Sequence, residues 1–282
     1  MCLIAFAIGA DPHCPLLLAA NRDEFFERPT APLHRWALPD GTAVFAGRDL
    51  RDGGTWLGVS EGGRVAMLTN VRSAHLGPGR RSRGELTTRW LSAGTDWTGL
   101  LAGIDPADYG GFNLVVGDIS TGFWAWITNR NPAQPHAETA MPLYSQRLLP
   151  GVYGLSNAAM DTPWPKTEHL KAAMAKALGC VDTDRRMYHL TSALRSSDIA
   201  SDEHLPSTGV PRDIEAALSS PFVDMVSRGY GTRSSSVIQI FPQSSSGLLQ
   251  VFIDEWTHGC SEALPQRWGS QGHRRELATM RI

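Results

Sequence analysis

Cysteine is sparse and scattered in this sequence. The four cysteines of the 282-residue chain, Cys2, Cys14, Cys180 and Cys260, lie far apart and form no CxxC pair. That argues against a zinc site or a disulfide framework and for a reducing compartment. Excess charge of one sign is also lacking. The net charge is −2, so neither a nucleic acid nor an anionic membrane is an expected partner. Short basic clusters, Arg80-Arg81-Ser82-Arg83 and His273-Arg274-Arg275, carry no interleaved aromatics and read as solvated surface. No basic leader precedes the first apolar run, which is too short for a signal or a spanning helix. The expectation is a cytoplasmic protein with no integral membrane segment. The sequence also has no G-x-S-x-G elbow, no H-E-x-x-H pair and no carboxylate pair on one helix. Gly53-Gly54-Thr55-Trp56-Leu57-Gly58 lacks the Lys and Ser/Thr of a phosphate loop and reads as a turn into a strand. No repeat and no linker divide the chain, so one domain over 1–282 is expected, with a polar tail from about residue 262 expected to be loose.

Two apolar runs open the sequence. Met1-Cys2-Leu3-Ile4-Ala5-Phe6-Ala7-Ile8 is followed by a turn and then by Leu16-Leu17-Leu18-Ala19-Ala20, which ends in Asn21-Arg22-Asp23-Glu24. The pattern predicts a hairpin of two buried strands that returns the polar tetrapeptide to the neighbourhood of Cys2. Cys2 has two readings. It is a small buried hydrophobe, or it is a nucleophile. Removal of Met1 would leave one residue with a thiol and a free α-amine, whose reference pKa of about 8 suits a base at neutral pH. Four polar residues after a buried strand are costly unless paired or solvated. Alternation puts Asn21 and Asp23 on one face, with Arg22 and Glu24 on the other. They form either a solvated turn with an ion pair or the groups that hold the thiol and amine.

Further strands are predicted at Val44–Asp49, Thr55–Val59, Arg64–Asn70, Phe112–Asp118, Phe123–Ile127, Val152–Asn157, Ser234–Phe241 and Leu248–Phe252. Gly-rich turns and Gln243-Ser244-Ser245-Ser246-Gly247 separate them. Helices are predicted over Gly84–Ala93, Trp97–Gly103, Lys166–Leu178, Asp184–Leu194 and Arg212–Leu218. Arg28–Asp40, with three prolines, reads as irregular surface. Runs of strands with helices clustered between them predict an α+β fold built on antiparallel sheets.

Asn70 and Asn157 each end a predicted strand, where an amide can donate to a developing oxyanion or simply cap a turn. Arg72 and Arg233 can bind a carboxylate, order a nucleophile or be ordinary surface arginines. Cys14-Pro15, preceded by His13, is a weak haem-ligand signal.

Several ordered segments together resemble one family. These are Met1-Cys2-Leu3-Ile4, Ala20-Asn21-Arg22-Asp23-Glu24, Gly53-Gly54-Thr55-Trp56-Leu57-Gly58, Thr69-Asn70-Val71-Arg72, Ser82-Arg83-Gly84-Glu85-Leu86 and Gly111-Phe112-Asn113-Leu114. Gly154-Leu155-Ser156-Asn157, Pro163-Trp164-Pro165-Lys166 and Thr232-Arg233-Ser234-Ser235-Ser236 extend the match over most of the chain. The sequence is similar to the NRDE family, also called the transport and Golgi organization protein 2 family. The resemblance implies an N-terminal-nucleophile hydrolase-like fold, a four-layer αββα sandwich of two antiparallel sheets. It also implies Cys2 as nucleophile, Asn157 as oxyanion donor and Arg233 as a late arginine of the site. Asn21 and Glu24 match the spacing of the superfamily's orienting Arg and Asp, whereas Arg22 and Asp23 match their chemistry. Two functions are expected from different classes. One is an N-terminal-cysteine amidohydrolase or thioesterase on a small acylated substrate, which needs no cofactor. The other is a non-catalytic carrier with haem as cargo.

Overall fold

Side-chain alternation along the first hairpin sets the layers. The computed structural model describes residues 2–74, 77, 79–137, 142–243, 248–261 and 264–281. Strands β1 (Cys2–Asp11) and β2 (Cys14–Phe25) pair antiparallel, with Cys2 opposite Arg22 and Leu3 opposite Asn21. Ile4, Phe6, Ile8, Leu16 and Leu18 enter one buried core, while Leu3, Ala5, Ala7, Leu17 and Ala19 enter another. A strand that is apolar on both faces needs a covering layer on each side.

Among the described residues, two sheets and the helices packed on their outer faces supply those layers. The second sheet is a meander of β3 (Thr30–Ala37), β4 (Ala43–Asp49), β5 (Leu57–Ser60), β6 (Arg64–Asn70), β7 (Phe112–Asp118), β8 (Phe123–Thr128) and β9 (Tyr144–Arg147), each strand pairing with the next. In the first sheet, β10 (Gly151–Leu155) flanks β1. On the other side of β2 lie β12 (Tyr230–Gln243), β13 (Leu248–Ser261) and β14 (Leu264–Arg281), and the short β11 (Asp224–Met225) pairs with β12. All strand pairings are antiparallel. The sheets face one another across Phe6, Leu18, Val59, Met67, Val115, Trp124, Ile238 and Ile253.

Helices α3 (Pro165–Leu178) and α4 (Thr183–Leu194) cover the outer face of the first sheet with Leu170, Met174, Ala177, Leu190 and Leu194. Helices α1 (Gly84–Leu91) and α2 (Trp97–Ala102) cover the second sheet, placing Leu86, Trp90, Leu91 and Leu100 against Ala66, Leu114 and Val116. The expected αββα sandwich is therefore present. Each large apolar side chain in the middle layer contributes roughly 1.5–3 kcal/mol by burial. Phe6 has no solvent exposure and stacks on Tyr153 with centroids 5.4 Å apart, so Phe6→Ala is the single change most damaging to that layer, about 3–5 kcal/mol. Among the described residues, no helix is long and apolar enough to cross a membrane.

Two local expectations change. The proline-rich stretch 28–40 holds an edge strand, β3, with a register shift between Ala31 and His34 that accommodates Pro32. Proline is tolerated at an edge or a bulge, so three prolines mark an edge strand here rather than a loop. The tail from 262 was expected to be loose, but residues 264–281 form β14, which pairs along β13 and sends Ala278 and Met280 into the inter-sheet core. Its polar composition reflects an edge strand with one solvated face. The expected turn at 244–247 lies outside the described residues, as does Met1.

Candidate active site

The hairpin ends where the two sheets part. Cys2 shares the parity of Ile4 and Phe6, so its side chain belongs to the inter-sheet face. There a cleft of about 1320 Å³ opens, lined by Cys2, Arg22, Glu24, Asn70, Arg83 and Tyr230 among others. Ten arginines and six carboxylates line it, so the walls are electropositive although the whole chain carries −2. Among the described residues no histidine lines it.

Arg22, Asp23 and Glu24 line the cleft, and Asn21 does not. Arg22 and Glu24 turn into the cleft. Arg22 is Cys2's partner across the ladder; its Nη2 lies 3.7 Å from Glu24 Oε2, and its Nη1 is buried with no partner among the described residues. Burial alone would raise the Glu24 carboxyl. The chain's N-terminal ammonium, then the Arg22 guanidinium, the Phe25 N–H and the Arg28 guanidinium, outweigh it and hold the group below the usual carboxylate range. Asn21 faces the helix layer and is 0 % exposed. Its Nδ2 donates to the carbonyls of Leu194 (2.9 Å) and Pro221 (2.8 Å), and its Oδ1 accepts from the Ser235 hydroxyl. Asp23 is also buried and accepts from Thr232 Oγ1 at 2.8 Å. Burial pushes its carboxyl up, opposed by Lys166 and Arg72.

The Cys2 thiol is pushed up to about 11, chiefly by burial. At neutral pH it is therefore a thiol, and attack requires a base that removes its proton. Ser156 Oγ donates to the Cys2 carbonyl at 3.1 Å and fixes the strand.

The two asparagines separate. Asn157 is fully buried and donates to the Asn70 backbone carbonyl at 3.0 Å, and the Ser156 hydroxyl, 3.1 Å from its Oδ1, shares its one proton between that oxygen and the Cys2 carbonyl. Its side chain ties β10 to β6. Asn70 itself lines the cleft, and no hydrogen bond of its carboxamide is present among the described residues. Arg233 Nη1 donates to the carbonyls of Phe25, Phe26 and Arg28, clamping the turn that carries Arg28 into the wall. Arg28 is in turn held by Asp49 and Asp52 at 2.6 Å each. Arg72 lies outside the cleft wall, paired with Glu215. Cys14 sits at the far end of the hairpin, buried and bonded to the Leu16 carbonyl, away from the cleft.

Sequence reasoning missed several groups. Arg83 belongs to a cluster read as solvated surface, yet it lines the cleft and donates to the Gly111 carbonyl at 3.2 Å. Burial lowers its guanidinium, while Glu24 opposes the shift. The signal was the neighbouring glycine. Gly84 packs on Gly54 so closely that a Cβ on Gly54 would lie 2.5 Å from the Gly84 carbonyl carbon, and this contact carries the start of α1 to the cleft. Tyr230 stays a phenol, raised well above its ordinary value by burial and then by Asp23 and Glu24. Glu255 of β13 reaches across to the second sheet and accepts from the Leu33 N–H at 2.6 Å, next to the β3 bulge. Nothing local in the sequence marks Tyr230 or Glu255, because only the pairing of distant strands brings them to the cleft.

Comparison with known proteins places the chain. The model of the family described as Transport and Golgi organisation 2 matches residues 1–249. A Bos taurus Transport and Golgi organization protein 2 homolog is 32% identical over 260 residues, covering 85% of this chain and 88% of that one. The Drosophila melanogaster Transport and Golgi organization protein 2 is 28% identical over 277 residues, 92% of this chain and 93% of that one. Among solved structures, a Caenorhabditis elegans N-acylethanolamine-hydrolyzing acid amidase ortholog aligns with a TM-score of 0.47 at 12% identity, covering 84% of this chain and 92% of that one. A conjugated bile acid hydrolase from Clostridium perfringens aligns with a TM-score of 0.39 at 10% identity, covering 89% and 92%. A match over the first 249 residues by the family model and over most of both chains by curated relatives has one consequence: this chain belongs to the Transport and Golgi organisation 2 family.

Proposed function

We propose that the cleft is an acyl-transfer site in which Cys2 acts as an N-terminal nucleophile on a small acylated, anionic substrate, as an amidohydrolase or thioesterase. The observation that carries this reading is the pairing of Cys2 with Arg22, whose buried Nη1 has no partner among the described residues and faces the same cleft.

Removal of Met1 frees the Cys2 α-amine. That amine takes the thiol proton, and the sulfur attacks the substrate carbonyl. Negative charge moves to the carbonyl oxygen, where Arg22 Nη1–H and the Asn70 carboxamide donate to it. Collapse expels the amine or thiol leaving group, which takes the proton back from the α-ammonium. Water then attacks the Cys2 thioester with the amine again as base, releasing the carboxylic acid and restoring the thiol. Transfer from a thiol near 11 to an amine near 8 is uphill by about 4 kcal/mol. That is small beside the barrier of about 16 kcal/mol for ten turnovers per second. The arginine-lined wall favours an anionic substrate, and binding should weaken with salt.

Haem as cargo is the second reading. The volume of the cleft and its arginines suit a flat dianion, with the Cys2 thiolate as axial ligand. A haem absorbance titration of wild type and Cys2→Ala tests it, since a Soret shift lost in the variant supports cargo binding at this site. The hydrolase reading is tested by hydrolysis of panels of acyl amides and acyl thioesters. Cys2→Ala should abolish turnover, and equal turnover by the variant would overturn the reading.

A further inference from the structure

Beside the nucleophile a line of alternating charges crosses from one sheet to the other. Arg22 sits across the ladder from Cys2. Glu24, two residues on and so on the same face of β2, places Oε2 3.7 Å from Arg22 Nη2 and 3.8 Å from Arg28 Nε. Its other oxygen accepts from the Phe25 N–H at 2.9 Å. Arg28 is anchored on the second sheet, where its Nη2 lies 2.6 Å from Oδ2 of Asp49, the last residue of β4, and 2.6 Å from Oδ2 of Asp52. Arg22, Glu24, Arg28 and Asp49 all line the cleft. An exposed ion pair would contribute little. Arg22, however, is 7 % exposed, and its Nη1 has no partner among the described residues. A buried guanidinium that leaves an N–H unsatisfied must be held there, because a long side chain otherwise turns its donors toward carbonyls or water. Among the described residues, Glu24 is the carboxylate within ion-pair range of it.

We propose that Glu24 is a positioning residue for Arg22, with Arg28 as its anchor, and that it keeps Arg22 Nη1 aimed at the carbonyl oxygen of the substrate. The proposal rests on the reading of Cys2 as a nucleophile with Arg22 as donor to its oxyanion. The guanidinium is a planar fork, so holding Nη2 sets the direction of Nη1. Arg28 acts on the same oxygen of Glu24 and keeps the carboxylate from following a moving Arg22. Arg233 fixes the turn that carries Arg28 through the Phe25, Phe26 and Arg28 carbonyls. The chain's ammonium also acts on Glu24, so holding the α-amine is the competing role. The two roles differ in one respect. A residue that positions the oxyanion donor matters only where an oxyanion forms, whereas one that holds the base matters whenever the thiol gives up its proton.

Two reactions of Cys2 in the full chain separate these roles. Acylation by p-nitrophenyl acetate passes through an oxyanion before nitrophenolate leaves. Alkylation by iodoacetamide displaces iodide at a saturated carbon and forms none. Both require loss of the thiol proton, and both are followed by mass on the N-terminal peptide. In Glu24→Gln, acylation should slow about tenfold or more, while alkylation should stay within about twofold of wild type. In an Arg22→Gln background, Glu24→Gln should change neither rate further. Unchanged acylation in Glu24→Gln, equal slowing of both reactions, or an acylation defect that persists in Arg22→Gln overturns the proposal. Should Glu24→Gln not fold, Glu24→Asp, with its carboxylate one methylene short of both arginines, should show the same split, and equal slowing there overturns the proposal too. Failure of wild-type Cys2 to acylate, whether or not it alkylates, would instead remove the nucleophile reading.

Discussion

Asn157 donates from Nδ2 to the backbone carbonyl of Asn70 at 3.0 Å, so the side chain of one asparagine holds the backbone of the other. This bond joins the two sheets beside the cleft and gives the two residues different work. Asn157→Ala leaves buried partners unsatisfied and should cost about 1–3 kcal/mol of stability, read as a lower urea midpoint. Asn70→Ala should leave that midpoint within about 0.5 kcal/mol. Its effect should fall on kcat for the acyl substrate, by a factor of about 100 if its carboxamide donates to the oxyanion.

The contact between Gly54 and Gly84 predicts a second separation. Gly54→Ala places a methyl 2.5 Å from backbone, so α1 must shift and Arg83 must move with it. Arg83→Ala should weaken binding of an anionic substrate without changing the melting temperature, while Gly54→Ala should do both. Thermal melts and KM for the two variants check this, and a Gly54→Ala protein with unchanged KM would detach Arg83 from the site.

Stability should have an acid limb set by His258. This histidine is fully buried; its Nδ1 accepts from the Gly269 N–H and its Nε2 meets the Ser235 hydroxyl. Burial and then Arg195 push it down to about 3. A depressed value means that the stability is present above the unfolded value near 6.5 and is lost as pH falls toward 3, on the order of 5 kcal/mol in all. His258→Gln should flatten urea midpoints between pH 6.5 and 4. An unchanged slope in the variant would assign the acid limb to other groups.

Much of this architecture was written in local pattern. The double alternation of β1 and β2 predicted strands buried on both faces; parity placed Arg22 and Glu24 at the cleft and Asn21 against the helix layer, whereas Asp23, expected on the face of Asn21, is also among the residues that line the cleft. What stayed hidden depends on distant pairing. Lys166 reads as the first polar residue of an amphipathic helix; only the seating of α3 against β1 and the end of α5 (Arg212–Ala217) buries its ammonium on the Leu218 carbonyl. Arg83 looked like one of three surface arginines until the approach of Gly84 to Gly54 turned it inward. β14 was illegible because an edge strand with one wet face resembles a polar tail, and β3 because Pro32 sits at its bulge while Pro29 and Pro39 flank it.

Intact-mass spectrometry of the purified protein during turnover of an acyl thioester tests the nucleophile most directly. The expected species is the chain lacking Met1 with one acyl group on Cys2, formed and discharged with the turnover rate and absent from Cys2→Ala. Turnover with Met1 retained would contradict the free-amine mechanism, and undiminished turnover by Cys2→Ala would contradict Cys2 as the nucleophile.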